Sequence, residues 1–121
     1  MSKILESGEM YLENILMLRD QLEFVRAIDV VKSTGYSKPS ISRALGLLKE
    51  DGMIEVDAQG HITLTAEGEA RAKSVYMRHK TLTAFFMSIG IDEETASADA
   101  CKIEHVISDI SLAAIKRYLE Q

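Results

Sequence analysis

A chain of 121 residues with one cysteine and a formal net charge of -5 has room for one or two small domains and none for a large enzyme scaffold. A lone Cys forms no internal disulfide, no apolar run approaches the roughly 20 residues of a membrane span, and Met1-Ser-Lys-Ile-Leu-Glu6 lacks the basic-then-apolar plan of a signal peptide. The expectation is a soluble protein of a reducing cytoplasm with no membrane partner, and the excess of Asp and Glu (19) over Lys and Arg (14) excludes indiscriminate attraction to nucleic acid.

In chain order the periodicity predicts mainly helices. Ser7 is the expected N-cap of a helix through about Gln21, with Tyr11, Ile15, Leu18 and Leu22 spaced for one buried stripe. A second helix, from about Glu23 to Ser33, carries Phe24, Ala27, Ile28 and Val31. Ser33-Thr-Gly-Tyr-Ser37 then breaks the pattern, Gly35 offering a left-handed turn and Ser37 capping a third helix that holds Pro39 in its first turn. That helix should bury Ile41, Ala44, Leu45 and Leu48. Charge is segregated here: Val30 to Lys49 carries Lys32, Lys38, Arg43 and Lys49 and no carboxylate, so a local basic surface exists. Two short alternating segments follow, Met53–Asp57 and His61–Thr65, joined across Ala58-Gln-Gly60 as a hairpin. Helix, glycine turn, capped basic helix and hairpin make a winged helix-turn-helix.

Thr65 is placed to cap a long helix from about Ala66 to Ser88, which ends at Gly90. Asp92 caps a segment to about Ile107, and Ser108 with Asp109 caps a last helix bearing Ile110, Leu112, Ile115 and Leu119. These last helices are too short and too apolar to stand alone and are expected to pack on each other and on a second subunit. The expected organisation is a winged helix-turn-helix DNA-binding domain over residues 1–70 and a helical metal-binding and dimerisation domain over residues 71–121.

Cys101, Glu104 and His105 form a C-x-x-E-H cluster. At i, i+3 and i+4 of one helix, a thiolate, a carboxylate and an imidazole share a face, and each offers a lone pair to a borderline metal. Taken alone, the pattern is more often an ordinary buried Cys beside a solvated Glu-His pair.

Five motifs in order then carry a resemblance over nearly the whole chain: Glu9-Met-Tyr-Leu-Glu13, Gly35-Tyr-Ser-Lys-Pro-Ser-Ile-Ser-Arg43, Leu64-Thr-Ala-Glu-Gly68, Arg78-His79 and Ala100-Cys-Lys-Ile-Glu-His-Val-Ile-Ser-Asp109. The chain resembles the diphtheria toxin repressor-like family of metal-dependent transcriptional repressors, including the manganese transport regulators, in its short form without an SH3-like domain. The resemblance implies a winged helix-turn-helix followed by a helical dimerisation domain, a homodimer, and binding of double-stranded operator DNA when metal-loaded, with metal-uptake genes as targets. It implies Met10, Cys101, Glu104 and His105 as primary metal ligands, a set similar to the iron-responsive branch; the manganese branch has carboxylates in place of Met10 and Cys101. Thioether and thiolate are soft, which favours Fe(II), Co(II), Ni(II) or Zn(II) over Mn(II), and availability puts Fe(II) first. His79 matches a ligand of both branches, and Glu13 matches a bridging carboxylate of the manganese branch, leaving open a second metal. The iron branch supports an ancillary site with a carboxylate where this chain has Thr83 and a His where it has Ser97. His61, on the wing, is expected at the surface and not as a ligand.

Met10 and Glu13 fall in the DNA-binding half, and His79, Cys101, Glu104 and His105 in the other. A metal joining them would set the separation of the recognition helices, which must match major grooves roughly 34 Å apart. For DNA, Ser37, Pro39, Ser40 and Arg43 are the candidates for base edges, thymine methyls or phosphate, with Lys38 and Lys49 on phosphates and Gln59 and Gly60 at the wing tip. Two other classes compete. An enzyme using Cys101 and His105 as nucleophile and base lacks a Gly-rich oxyanion or phosphate loop and an H-E-x-x-H motif, so no enzyme is expected. A winged-helix regulator sensing an organic ligand stays open.

Overall fold

The computed structural model describes residues 6–121, with side chains from residue 8 onward. Among the described residues the fold is mainly α, with helices α1 (Glu6–Arg19), α2 (Ala27–Thr34), α3 (Lys38–Glu50), α4 (Ala66–Ser88), α5 (Glu93–Ile103) and α6 (Asp109–Leu119), and one two-stranded antiparallel sheet, β1 (Ile54–Val56) and β2 (Ile62–Leu64). Two compact units are formed, one reaching Lys73 and one spanning Ser74–Gln121, so the boundary falls inside α4.

In the first unit α1 packs on α2, α3 and β2, and α3 packs on β1. The core gathers Leu12, Ile15, Val30, Ile41, Leu48, Met53 and Ile54, each fully or nearly fully buried. Each such side chain contributes about 1.5–3 kcal/mol through burial. The buried stripe of α1 is Tyr11, Leu12, Ile15 and Leu16, where the expected stripe ran through Leu18 and Leu22. The helix stops at Arg19, so Leu22 lies beyond it and is exposed. The expected Ser7 cap rests on a side chain outside the described ones, and α1 already includes Glu6.

Helix α2 starts four residues later than expected from the apolar spacing, at Ala27 instead of Glu23. The reason is tertiary: the Ile62 N–H donates to the Val25 carbonyl at 2.7 Å, an isolated bridge that holds this segment extended beside the wing. Asp29 then accepts from the Arg26 N–H at 2.9 Å and closes the helix start. Phe24 and Ile28, expected to pack inside, are exposed, and Val25 and Val30 are buried in their place.

The turn and the third helix match expectation. Gly35 adopts φ 78°, which only glycine takes without strain, and its N–H reaches the Val31 carbonyl at 2.8 Å. Ser37 caps α3 by accepting from the Ser40 N–H at 3.3 Å, Pro39 sits in the first turn, and Ile41, Leu45 and Leu48 are buried, with Ala44 packed at the edge of the core. The wing pairs Ile54 with Leu64, Glu55 with Thr63 and Val56 with Ile62. Thr65 accepts from the Gly68 N–H at 3.0 Å as the α4 cap. Gly68 lies so close to Met53 that a Cβ would overlap the Met53 carbonyl, so glycine here sets how closely α4 sits on β1.

In the second unit Val75 and Leu82 of α4 and Ala96 and Ala100 of α5 are buried, and Phe85 meets Tyr118 edge-on with ring centroids 5.8 Å apart. Asp92 caps α5 through the Thr95 N–H at 3.0 Å, and that bond holds its carboxyl below the usual carboxylate range. Ser108 caps α6 through the Ser111 N–H at 3.1 Å. Helix α5 ends at Ile103, short of the expected Ile107. Helical bonding continues in part past that point, the Glu104 N–H donating to the Ala100 carbonyl at 2.9 Å and the Ile107 N–H to the Ile103 carbonyl at 3.0 Å; Arg78 holds the turn, its Nη1 donating to the Glu104 carbonyl at 3.2 Å and contacting the Ile107 carbonyl at 3.5 Å. Its Nη2 reaches Asp109 at 2.8 Å, tying the start of α6 to the same side chain.

Candidate metal centre and DNA-facing helix

Glu104 is the only polar or charged residue fully buried among the described ones. A carboxylate withdrawn from water costs several kcal/mol unless cationic or donor groups surround it. Two imidazoles do so. Oε1 lies 2.7 Å from Nδ1 of His79, and Oε2 lies 3.5 Å from Nε2 of His105, whose side chain is itself almost buried. On its other edge His79 directs Nε2 at the Ser97 hydroxyl, 3.2 Å away. The three groups come from different places: His79 from α4, Glu104 from the C-cap of α5, and His105 from the turn after it.

That placement corrects two expectations. The C-x-x-E-H residues do not lie on one helical face, because α5 ends before Glu104 and His105 follows in a turn. Cys101, on the last turn of α5, is exposed, whereas Glu104 is buried; both the buried-Cys reading and the solvated Glu-His reading are reversed. His79 is no solvated helix residue either, being bonded on both ring nitrogens.

An oxygen and two nitrogen donors converging around one buried carboxylate suit a divalent transition metal, which imidazole and carboxylate ligands hold well. The residues therefore fit such an ion. Thr83, one helical turn beyond His79, has its hydroxyl buried with no hydrogen-bond partner.

In the first unit Met10 and Glu13 are half-buried on α1. The Tyr36 hydroxyl approaches the Met10 sulfur at 3.9 Å, a weak contact that links α1 to the helix-turn-helix turn. Ser37, Lys38, Pro39, Ser40, Arg43 and Lys49 are all exposed along α3. The Ser37 hydroxyl is engaged in capping and donates to Ser40 Oγ at 3.0 Å, so of the two serines Ser40 is the better placed for an outside partner. Arg78 escaped the sequence reading as a site residue. Its signal was the Arg78-His79 dipeptide itself, one residue supplying the imidazole and its neighbour the clamp on the loop that carries Glu104.

Residues 3–62 match the family model of the iron dependent repressor N-terminal DNA binding domain, and residues 65–121 that of the iron dependent repressor metal binding and dimerisation domain. The chain belongs to the iron-dependent repressor family. It is 31% identical over 118 residues to an uncharacterised HTH-type transcriptional regulator of Methanocaldococcus jannaschii, covering 96% of this chain and 94% of the relative. Transcriptional regulator MntR of Escherichia coli O157:H7 is 31% identical over 111 residues, 92% of this chain and 72% of MntR. The iron-dependent repressor IdeR of Mycobacterium tuberculosis strain H37Rv is 28% identical over 110 residues, 90% of this chain and 48% of IdeR. A manganese-dependent transcriptional repressor solved with manganese superposes with a TM-score of 0.85 at 25% identity, over 93% of this chain and 52% of that one. The metal-dependent regulator MtsR gives 0.86 at 22% identity, over 93% and 53%, a likeness of fold. This chain thus spans about half the length of IdeR and of these two structures. The protein is a metal-dependent transcriptional repressor of this family, whose members include iron and manganese regulators. No described helix is long and apolar enough to cross a membrane.

Proposed function

We propose that this repressor is activated by a divalent transition metal, Fe(II) foremost, held by Met10, Cys101, Glu104 and His105, with His79 and Glu13 available to it or to a second ion. The observation that carries the reading is the buried Glu104 carboxylate between His79 and His105. Bound there, the ion supplies the positive charge that such a carboxylate lacks, and coordination bonds that join several chain segments. Glu104, His79 and His105 bind, Arg78 orients the loop that presents two of them, and burial keeps water from competing. Because Met10 and Glu13 belong to one compact unit and the remaining ligands to the other, metal affinity and the relative orientation of the units are linked. Through that linkage the metal would govern how a homodimer presents its two α3 helices to successive major grooves of operator DNA. A coupling of about 1–3 kcal/mol, usual for allostery, makes roughly 5–150-fold in DNA affinity.

The Met10 thioether and Cys101 thiolate support the iron assignment over Mn(II), and zinc, cobalt or nickel would also suit them. Metal-uptake genes are the proposed targets, since metal-activated repression makes a feedback on import, and the cytoplasm the proposed compartment. On α3 the proposed contacts are Ser40 and Arg43 at base edges or phosphate, Pro39 at thymine methyls, Ser37 beside them, and Lys38 and Lys49 on phosphates. No catalytic role is proposed for Cys101 and His105.

The test is fluorescence anisotropy on an operator-containing promoter fragment at fixed salt, under anaerobic Fe(II), Mn(II), Zn(II) or chelator. Tight binding with Fe(II) that chelator abolishes is expected. Binding that is equal in all conditions, or that persists in Glu104→Ala and His105→Ala, overturns the metal switch and favours an organic effector.

A further inference from the structure

His61 is not the surface residue that its place on the wing suggested; its side chain is 16% exposed and is held on both edges and one face. Asp57 starts the wing turn, its Oδ1 accepting from the N–H groups of Gln59 at 2.9 Å and of His61 at 2.8 Å. Those backbone bonds, His61 first, hold the Asp57 carboxyl below its ordinary range, so it is an anion at neutral pH. Its Oδ2 stands 3.2 Å from Nδ1 of the His61 ring. On the opposite edge, Nη2 of Arg26 lies 2.9 Å from Nε2. Phe24 stacks on the ring with centroids 4.1 Å apart and planes 8° from parallel.

A guanidinium has five donors and no acceptor, and it keeps its proton at any pH a folded protein meets. The 2.9 Å contact therefore requires a lone pair on Nε2, which leaves the ring's single proton on Nδ1, facing the Asp57 carboxylate. One neutral tautomer satisfies both neighbours. The resulting chain, Asp57 to His61 to Arg26, runs from the wing turn to the residue that precedes α2. Strands β1 and β2 have three residues each, and an isolated two-stranded hairpin of that size is marginal in water. The strands are anchored by the Val25–Ile62 bridge and by Ile54 and Ile62 in the core, and the Asp57–His61–Arg26 chain adds a side-chain tie from the turn between them to the helix-turn-helix.

We propose that His61 is the positioning residue of the wing: held as the Nδ1–H tautomer between Asp57 and Arg26 and stacked on Phe24, it locks the Ala58–Gly60 turn to the entry of α2, so that wing tip and recognition helix meet the DNA duplex as one rigid surface. This rests on the DNA-binding reading above.

Long-range nitrogen-15 correlation spectra of the wild-type imidazoles, with His61 assigned by its loss in His61→Phe, should show a proton on Nδ1 and none on Nε2; a proton on Nε2 overturns the inference. Operator anisotropy under activating metal is then compared for wild type, His61→Phe and His61→Gln, with melting temperatures measured alongside. Phenylalanine keeps an aromatic face for Phe24 but offers Arg26 no acceptor, whereas glutamine can place an oxygen near the Nε2 position. His61→Phe should bind about 3- to 10-fold more weakly, the loss of one or two positioned hydrogen bonds, at a melting temperature near that of wild type, and His61→Gln should recover most of the loss. In a cycle with Arg26→Gln, the double variant should bind no worse than the weaker single one. Unchanged affinity in His61→Phe, or a loss that glutamine does not rescue and that follows the melting temperature, overturns it. If wild type binds no operator under any metal, the DNA-binding reading fails, and the tautomer decides whether the pin exists.

Discussion

Arg78 shows how much one side chain can organise. Its guanidinium holds the Glu104 carbonyl just past the end of α5 and anchors Asp109 at the start of α6, so the loop that presents Glu104 and His105 hangs on it. Groups that orient metal ligands in this indirect way typically change affinity 10–100-fold when removed. Arg78→Ala should therefore weaken metal binding by about 10–100-fold in competition with a chelating indicator. An unchanged affinity would show that the loop holds its shape without the clamp. A second residue-scale expectation concerns acid. Arg19 and Lys73 flank Glu69 at 2.5 Å and 2.9 Å and lower its carboxyl from 4.5 to about 2. A depressed folded pKa means that the contribution to stability is present above the ordinary carboxylate range and is lost as pH falls from about 4.5 through about 2. Glu69→Gln should be modestly less stable than wild type at neutral pH and converge with it as pH falls through that window, which flattens the acid limb, as urea unfolding at stepped pH would read. The pair is solvent-exposed and screened by salt, so the effect shrinks at high ionic strength.

At the scale of elements, local chemistry and long-range packing can be separated. The caps were legible because a cap is a local bond: Ser37, Thr65, Asp92 and Ser108 each accept from the N–H three residues on, as their spacing predicted. The start of α2 was not, because a partner distant in sequence decides it, the Ile62 N–H for Val25, and the turn after α5 is likewise held by a distant group, the Arg78 guanidinium on the Glu104 carbonyl. Gly68 belongs to the same class. Nothing nearby in sequence requires glycine within a helix, yet the Met53 carbonyl occupies the space of a Cβ. Gly68→Ala would normally favour a helix by roughly 0.5–1 kcal/mol; here it should destabilise by about 1–3 kcal/mol, because α4 must lift off β1. Chemical denaturation of the two proteins decides the sign.

On the scale of the whole molecule, α6 contributes no buried residue, Ile110 is 83% exposed, and Val106 and Tyr118 lie open as well. Apolar side chains gathered on a short terminal helix are expected to be covered by a second copy, in keeping with the dimerisation family model that spans residues 65–121. Ile110→Glu should yield a monomer by light scattering and lose operator binding while its helix content by circular dichroism stays unchanged. A variant that remains dimeric would place the interface elsewhere. With a net charge of -5, the segregated basic residues of α3 are the expected attraction for phosphates, and a dimer would present them twice.

The chain by itself determined the order of elements, the helix-turn-helix with its wing, the caps, the exposed basic stretch on α3 and the family, because these depend on spacing, propensity and local bonds that neighbouring residues carry. It also marked Glu104 and His105 as chemistry-bearing. Only the tertiary structure decided that Glu104 is the buried member and Cys101 the exposed one, that His79 grips the same carboxylate, and that His61 is pinned between Asp57 and Arg26. Burial and hydrogen-bond pairing are properties of groups brought together from distant positions, 25 residues apart for His79 and Glu104 and 35 for Arg26 and His61, and no periodicity within a single element encodes them.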